Sequence, residues 1–372
     1  MLSLFIDALP YSYLKEENLH QLNNVQISPM IQNVGYSSTL HWELYCNIYP
    51  DEHGFFVDWV HEKEKNSLVC AISKFLSFTD YLGDTGVYCR KILDRYVFRK
   101  NVFANIPFRF RPYFTNKSNY LFWEKENYGS FELFKKYRYA MQDEGPKTFE
   151  ENISIIRKHI KNNEKNIFGV FGEIDGIGHK CPRGNEYNKR VNHCMDIILD
   201  VIQEYNSKFP NEEVLIISDH GMSTIKELVS IDLEKKFGRQ SRNNYIAYSD
   251  IAIMCVFCAS ESLKEEISKY LSSFSFGHVL TEVERQNYGI TDSNYGDIIF
   301  NLKEGYGFKE NWFGKSIRRN YDYHVGMHGF WPEWTANDQL ASITLINGKR
   351  QLMEKYDYKS AYGLINEVML GE

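Results

Sequence analysis

Three apolar runs in this chain each end in an aspartate: Leu2–Ile6 before Asp7, 166–174 before Asp175, and 214–218 before Asp219. Short apolar runs separated by helix-spaced stretches are the pattern of strands buried on both faces of a parallel sheet. Further strand-like runs lie at 25–27, 251–259 and Ala341–Ile346. A helix is expected over 38–49, with Ser37 at or near its N-cap and Pro50 closing it. Val191, Cys194, Met195, Ile198, Val201, Ile202 and Tyr205 recur at helical spacing until Pro210 stops them. A polar helix at 261–272 and an amphipathic one at 359–370 complete the alternation. The expected fold class is α/β, with a mostly parallel central sheet flanked by helices. In such sheets ligands gather at the carboxyl ends of the strands, so the three carboxylates can converge.

A chain of 372 residues exceeds the usual size of a single core. One α/β catalytic domain spanning 1–372 and carrying insertions is therefore expected. Two regions break the alternation. The first, 60–165, contains an aromatic-rich stretch at 103–140 and reads as a cap beside the site. Within it Arg109 and Arg111 alternate with Phe108 and Phe110, as on a strand with a solvated face. The second, 225–320, reads as a peripheral segment that also contributes part of the core sheet.

The net charge of -6 and a pI near 6.0 exclude a general nucleic-acid binder, which would carry a basic stripe. No apolar stretch approaches the ~20 residues that span a bilayer. The opening Met1-Leu-Ser-Leu-Phe-Ile-Asp7 lacks a basic segment and a cleavage site, so it reads as a first core strand. The seven cysteines are odd in number and irregularly spaced. Cys255-x-x-Cys258 lies inside an apolar run, and no second pair offers zinc-finger spacing. Free thiols in a reducing cytoplasm are expected.

Other donors surround the aspartates in sequence. They are Asp175-x-x-x-His179, Asp219-His220-Gly221-Met222, Gly326-Met327-His328-Gly329, and Ser37 within Gly-Tyr-Ser-Ser-Thr. Each has an ordinary structural reading. An aspartate after a strand forms turns, His179 suits a surface, and Ser37 suits a helix cap. The adjacent Asp219 and His220 say more, with Gly221 permitting a tight turn. Together the segments supply three carboxylates, three imidazoles and a hydroxyl. That is the ligand supply for two divalent metals about 4 Å apart around a nucleophile. His324 lies four residues before His328, but only His328 stands in His-Gly, so His328 is taken as the ligand.

These motifs, together with Tyr49-Pro50-Asp51-Glu52-His53-Gly54, resemble the alkaline phosphatase superfamily, most closely its nucleotide pyrophosphatase/phosphodiesterase branch. The resemblance runs from Asp7 through 342–345. In that branch the nucleophile precedes the proline of such a segment by 13 residues, which lands on Ser37 where members commonly carry threonine. The resemblance implies that Asp175, His179 and His328 hold one zinc. Asp7, Asp219 and His220 would hold a second, with Ser37 Oγ as a further ligand. Mixed His/Asp ligation suits zinc better than magnesium. It also implies in-line attack by Ser37 and a phospho-Ser37 intermediate, while His53 packs as a structural residue.

Diesterase relatives carry an asparagine 21 residues past the nucleophile, where this chain has Asp58, implied as a substrate-contacting residue. The implied function is a metal-dependent phosphohydrolase, a dizinc phosphodiesterase or pyrophosphatase cleaving a small phosphoester. The same core serves phosphomonoesterases and phosphomutases. A catalytically silent binding protein is the alternative of another class, disfavoured by the complete ligand set. The implied partner is a small-molecule phosphoester and not a nucleic-acid polymer. Leaving group and oligomeric state are not written in the sequence.

Overall fold

The computed structural model describes residues 1–16, 19, 22, 24–57, 59–61, 68–82, 84–93, 95–96, 106–116, 135–139, 148–309, 325–332 and 339–371. The chain forms two compact units. The first comprises Met1–Tyr49, Tyr120–Ile225 and His324–Glu372, and the second Pro50–Asn119 and Lys226–Tyr323.

A six-stranded sheet centres the first unit. Its strands are β1 (Leu2–Ile6), β2 (Val25–Met30), β3 (Arg138–Tyr139), β4 (Ile167–Phe171), β5 (Val214–Ile217) and β6 (Ala341–Ile346). They lie in the order β2-β6-β5-β1-β4-β3. The pairings β1 with β4, β1 with β5 and β3 with β4 are parallel, whereas β6 is antiparallel to both β2 and β5. The sheet is thus mixed, and the mostly parallel expectation is met in part, because five of its six strands run one way and only β6 runs against them. The cause is local. Gln339 and Ser342 meet Gly221 and Ser218 at the carboxyl end of β5, so β6 starts at that end and can only run back.

Both sheet faces are covered because β1 alternates. Leu2, Leu4 and Ile6 join the cluster under α2 (Phe149–Lys161) and α4 (Asn185–Lys208). Phe5 joins the opposite cluster under α1 (Ser37–Cys46) and α5 (Tyr358–Leu370). The seven periodic residues from Val191 to Tyr205 are all buried along α4. Each fully buried Leu, Ile or Phe contributes roughly 1.5–3 kcal/mol, and this double packing fixes the sheet. Gly169 lets α2 sit close, since a Cβ there would lie 2.7 Å from Ile156 Cδ1.

The second unit holds a four-stranded antiparallel sheet made of Tyr245–Ser249, Ile253–Cys258, Ile298–Leu302 and Gly277–Val279. Ile253–Cys258 pairs with the strand just before it in sequence, so among the described residues 225–320 adds no strand to the six-stranded sheet. Arg109 and Arg111 are not on a strand. The N–H groups of Phe108 and Arg109 donate to the Asp80 carboxylate, which bends the chain into the turn Arg111–Tyr113. Cys46, Cys89, Cys181, Cys194, Cys255 and Cys258 are free thiols. No described helix is long and apolar enough to cross a membrane.

Candidate active site

Register brings the aspartates level. Phe5 pairs with Ile217, so Asp7 and Asp219 each stand two residues beyond paired positions. The Asp7 N–H donates to the Phe171 carbonyl at 2.8 Å, which places Asp7 beside the start of α3 (Glu173–Lys180). Asp175 differs from expectation here. It lies in the first turn of α3, not at the strand end, and His179 follows one turn later on the same face. The loops after β1 and β5 are tied by one hydroxyl. Ser218 Oγ accepts from the Leu9 N–H at 2.9 Å and donates to the His220 carbonyl at 2.7 Å.

Ser37 is the first residue of α1, and Tyr36 occupies the N-cap without a side-chain hydrogen bond. The hydroxyl therefore does not cap the helix. It lies 2.8 Å from His220 Nε2. The helix ends at Cys46 because Asn47 turns left-handed with φ 53°, three residues before Pro50. Gly221 is not among the glycines with positive φ, contrary to the expected tight turn. It contributes its carbonyl instead, accepting from His220 Nδ1 at 2.8 Å.

That contact assigns the tautomer. A carbonyl only accepts, so His220 Nδ1 carries the proton and Nε2 presents a lone pair. Facing this lone pair are Asp7 Oδ1 at 3.4 Å, Asp219 Oδ2 at 3.3 Å and the Ser37 hydroxyl. His179 repeats the logic. Its Nδ1 donates to the Gly326 carbonyl at 2.9 Å, and its Nε2 lies 3.2 Å from Asp175 Oδ1. The His220 and His328 rings stack with centroids 3.6 Å apart, and His328 Nε2 is 3.8 Å from Asp175 Oδ1.

Such a set fits metal ions. Acceptor atoms face one another, and the buried Asp7 Oδ1 and Asp175 Oδ1 make no hydrogen bond among the described residues. Two groups have ligand atoms within 4.8 Å of one another: Asp7 with Asp219 and His220, and Asp175 with His220 and His328. His220 stands in both groups and His179 in neither, a different division from the one the resemblance implied. The electrostatics are those of crowded carboxylates that a bound cation would balance. Burial, then Asp219 and Asp175, pushes the Asp7 carboxyl well above its usual range. Burial also works against charge on Asp219, yet His220 and His41 hold its carboxylate below the ordinary value. Burial opposes charge on His179 as well, but Asp175 outweighs it and raises the imidazole.

All of Asp7, Ser37, Asp175, His179, Asp219, His220 and His328 lie in the first unit and converge. Asp58 and His324 fall outside the described residues. His53 belongs to the second unit, packed against the Phe55 ring at 4.2 Å. Burial pushes its imidazole down to about 4, in keeping with a structural role.

Sequence reading missed two positioning residues and gave a third, Gly326, no role. His41 Nε2 lies 3.1 Å from Asp219 Oδ2, one turn past Ser37 on α1, and that spacing was the available signal. Gln339 Nε2 donates to the Met327 carbonyl while its own carbonyl accepts from the Gly221 N–H. Gly326 is the third, because a Cβ there would stand 2.2 Å from the Gly178 carbonyl. That close approach sets the His179 turn against the His328 segment.

Beneath the site, Glu43 on α1 is buried and accepts from Asn33 Nδ2. Burial raises its carboxyl to about 8. A carboxyl raised on folding contributes stability that is complete below the unfolded value and lost as pH rises toward 8. Glu43→Gln is expected to unfold at nearly the wild-type urea midpoint at pH 5 and to gain a few kcal/mol over wild type at pH 8. Parallel urea titrations at both pH values measure this.

The family model of type I phosphodiesterases and nucleotide pyrophosphatases matches residues 1–331. The chain belongs to that family. Its members are hydrolases acting on phosphoester bonds, and the family is metal-dependent. No curated protein sequence matches this chain significantly. Solved structures resemble it in fold. Human ectonucleotide pyrophosphatase/phosphodiesterase 5 is 13% identical with a TM-score of 0.61, covering 100% of this chain and 94% of that one. The murine protein in an inactive form with AMP is 12% identical, with a TM-score of 0.60, over 100% and 94%. Phosphonoacetate hydrolase from Sinorhizobium meliloti 1021 with phosphonoformate is 12% identical, with a TM-score of 0.59, over 99% and 95%.

Proposed function

We propose that this family member is a dizinc phosphodiesterase or pyrophosphatase that cleaves a small phosphoester through a phospho-Ser37 intermediate. The observation that carries the reading is the Ser37 hydroxyl 2.8 Å from His220 Nε2, in a cluster of three carboxylates and three imidazoles. Asp7, Asp219 and His220 would hold one ion, and Asp175, His179 and His328 the other. When bound, the ions supply Lewis-acid stabilisation of phosphate charge and lower the pKa of the nucleophilic oxygen.

The protein residues do the rest. Ser37 Oγ, half-buried at the first turn of α1 and unused in capping, attacks phosphorus in line with the leaving oxygen. The helix N-terminus beneath it favours the anionic phosphoryl group. His41 and Ser218 hold Asp219 and His220 in place so that no reorganisation is needed during attack. Water then hydrolyses the phosphoserine from the vacated side.

Asp58 enters by the resemblance alone, at the position where diesterase relatives carry asparagine. A phosphodiester is anionic, and an ionised carboxylate about 4 Å from it would cost about 4 kcal/mol at an effective dielectric of about 20. Asp58 is therefore assigned to a hydrogen-bond-donating part of the substrate, such as a sugar hydroxyl or an amine, and not to the phosphate. The test is a hydrolysis panel of nucleoside, sugar and head-group phosphodiesters, AMP and phosphonoacetate, run on wild type and Asp58→Asn. The variant is expected to keep or raise activity on simple aryl phosphodiesters while weakening the best natural substrate. Equal loss on both substrates would make Asp58 part of the general machinery.

A further inference from the structure

Large exposed hydrophobic side chains concentrate in one place among the described residues. Phe75 (78% exposed), Phe78 (57%), Tyr81, Tyr88 (65%), Ile92 and Tyr96 (69%) all lie in a short stretch of the second unit. Elsewhere Leu228, Val283 and Met353 are scattered singly. Single exposed apolar residues are ordinary, whereas a contiguous set marks an interaction surface. Apart from Tyr96, the set rides on the helices Leu68–Leu76 and Asp84–Leu93 and the turn Ser77–Tyr81 between them. Their polarity is reversed. Ser73, Thr79 and Arg90 are buried, while the aromatic residues face solvent.

The scaffold beneath is fixed. The buried Asp80 carboxylate accepts from Arg90 Nη1 at 2.7 Å and from the Phe108 and Arg109 N–H groups at 2.9 Å each. Cations stand among the exposed rings. Lys74, Lys91, Arg95 and Arg239 are exposed, with Arg239 Cζ 3.7 Å over the Tyr81 ring and Arg95 Cζ 5.6 Å from the Tyr96 ring. Within 74–96 the four cations Lys74, Arg90, Lys91 and Arg95 exceed the three aspartates Asp80, Asp84 and Asp94, in a chain whose net charge is -6.

We propose that this face docks on an anionic lipid surface, the aromatic rings entering the headgroup layer and the cations meeting lipid phosphates. Exposed rings beside Lys and Arg on a rigid amphipathic element are the chemistry of interfacial binding, which scales with apolar area and with attraction to anionic lipid. A second copy of the chain fits less well. A two-fold contact would bring the same cationic patch, with Lys74, Lys91 and Arg95, from both copies into one interface.

The experiment is co-sedimentation of the full chain with phosphatidylcholine vesicles containing about a third phosphatidylserine. Binding is expected, weakened by salt and by omission of phosphatidylserine. Phe75→Ser combined with Phe78→Ser should lower affinity at least about tenfold. Lys74→Glu combined with Lys91→Glu should remove only the dependence on anionic lipid. Far-UV circular dichroism and aryl-phosphodiester hydrolysis in solution should stay unchanged in both. No vesicle binding by wild type, or binding that neither variant weakens, overturns the proposal. So does a wild-type dimer dissolved by the Phe variants, or a purified protein partner that competes with no vesicle binding present.

Discussion

Ser37→Ala is expected to lower turnover by several orders of magnitude while leaving the fold intact. The change removes a covalent step and one candidate ligand together, and residues acting as one unit fail together. The fold should tolerate it because the hydroxyl neither caps α1 nor bonds backbone. Tyr36 takes the N-cap, and the serine Oγ contact runs to His220. Stability should therefore change by less than about 1 kcal/mol, within the range of ordinary surface changes. Ser38→Ala should retain most activity. Steady-state hydrolysis of an aryl phosphodiester, with intact-mass analysis of acid-quenched protein, reads both. A phosphoryl group on Ser38 or Thr39 would show that counting back from Pro50 misassigned the nucleophile.

Asp219→Ala is expected to abolish nearly all activity and the stabilisation that zinc confers. Asp219 is fully buried, its Oδ1 accepts the His220 N–H at 3.0 Å, and its Oδ2 meets both His41 and His220. Without a cation, Asp7, Asp175 and Asp219 crowd one another, so an ion that binds only the folded state offsets this repulsion directly. At a hundredfold excess over its dissociation constant, such an ion adds about 2.7 kcal/mol. Thermal unfolding with chelator and then with zinc should show a clear rise in Tm for wild type. The variant should show a much smaller one. An equal rise in both proteins would mean that zinc binds elsewhere.

The strands carrying the site were legible because an apolar run ending in a polar ligand is a local signal. β1, β5 and β6 appear within a residue of their expected limits, and the stripe from Val191 to Tyr205 lies wholly within one helix. Strand direction was not legible. Nothing local in Ala341–Ile346 says that it runs antiparallel, because that follows from Gln339 meeting Gly221 across the fold. The run 251–259 looked like a core strand, since a buried strand in either kind of sheet presents the same apolar face. The seven converging donors were readable as a set, but their sharing was not. The parallel stack of His220 on His328, which gives His220 a place in both groups, arises from a contact between distant segments. His41 and Gln339 escaped notice because a histidine one turn along a helix, or a glutamine before a strand, carries no signal alone.

The central claim is that the seven converging side chains hold two zinc ions on which the reaction depends. Elemental analysis of purified, active protein, before and after exhaustive chelation, tests it most directly. The expected result is two zinc ions per chain, activity falling in step with their removal, and recovery when zinc is returned. A fully active preparation holding no transition metal would contradict it.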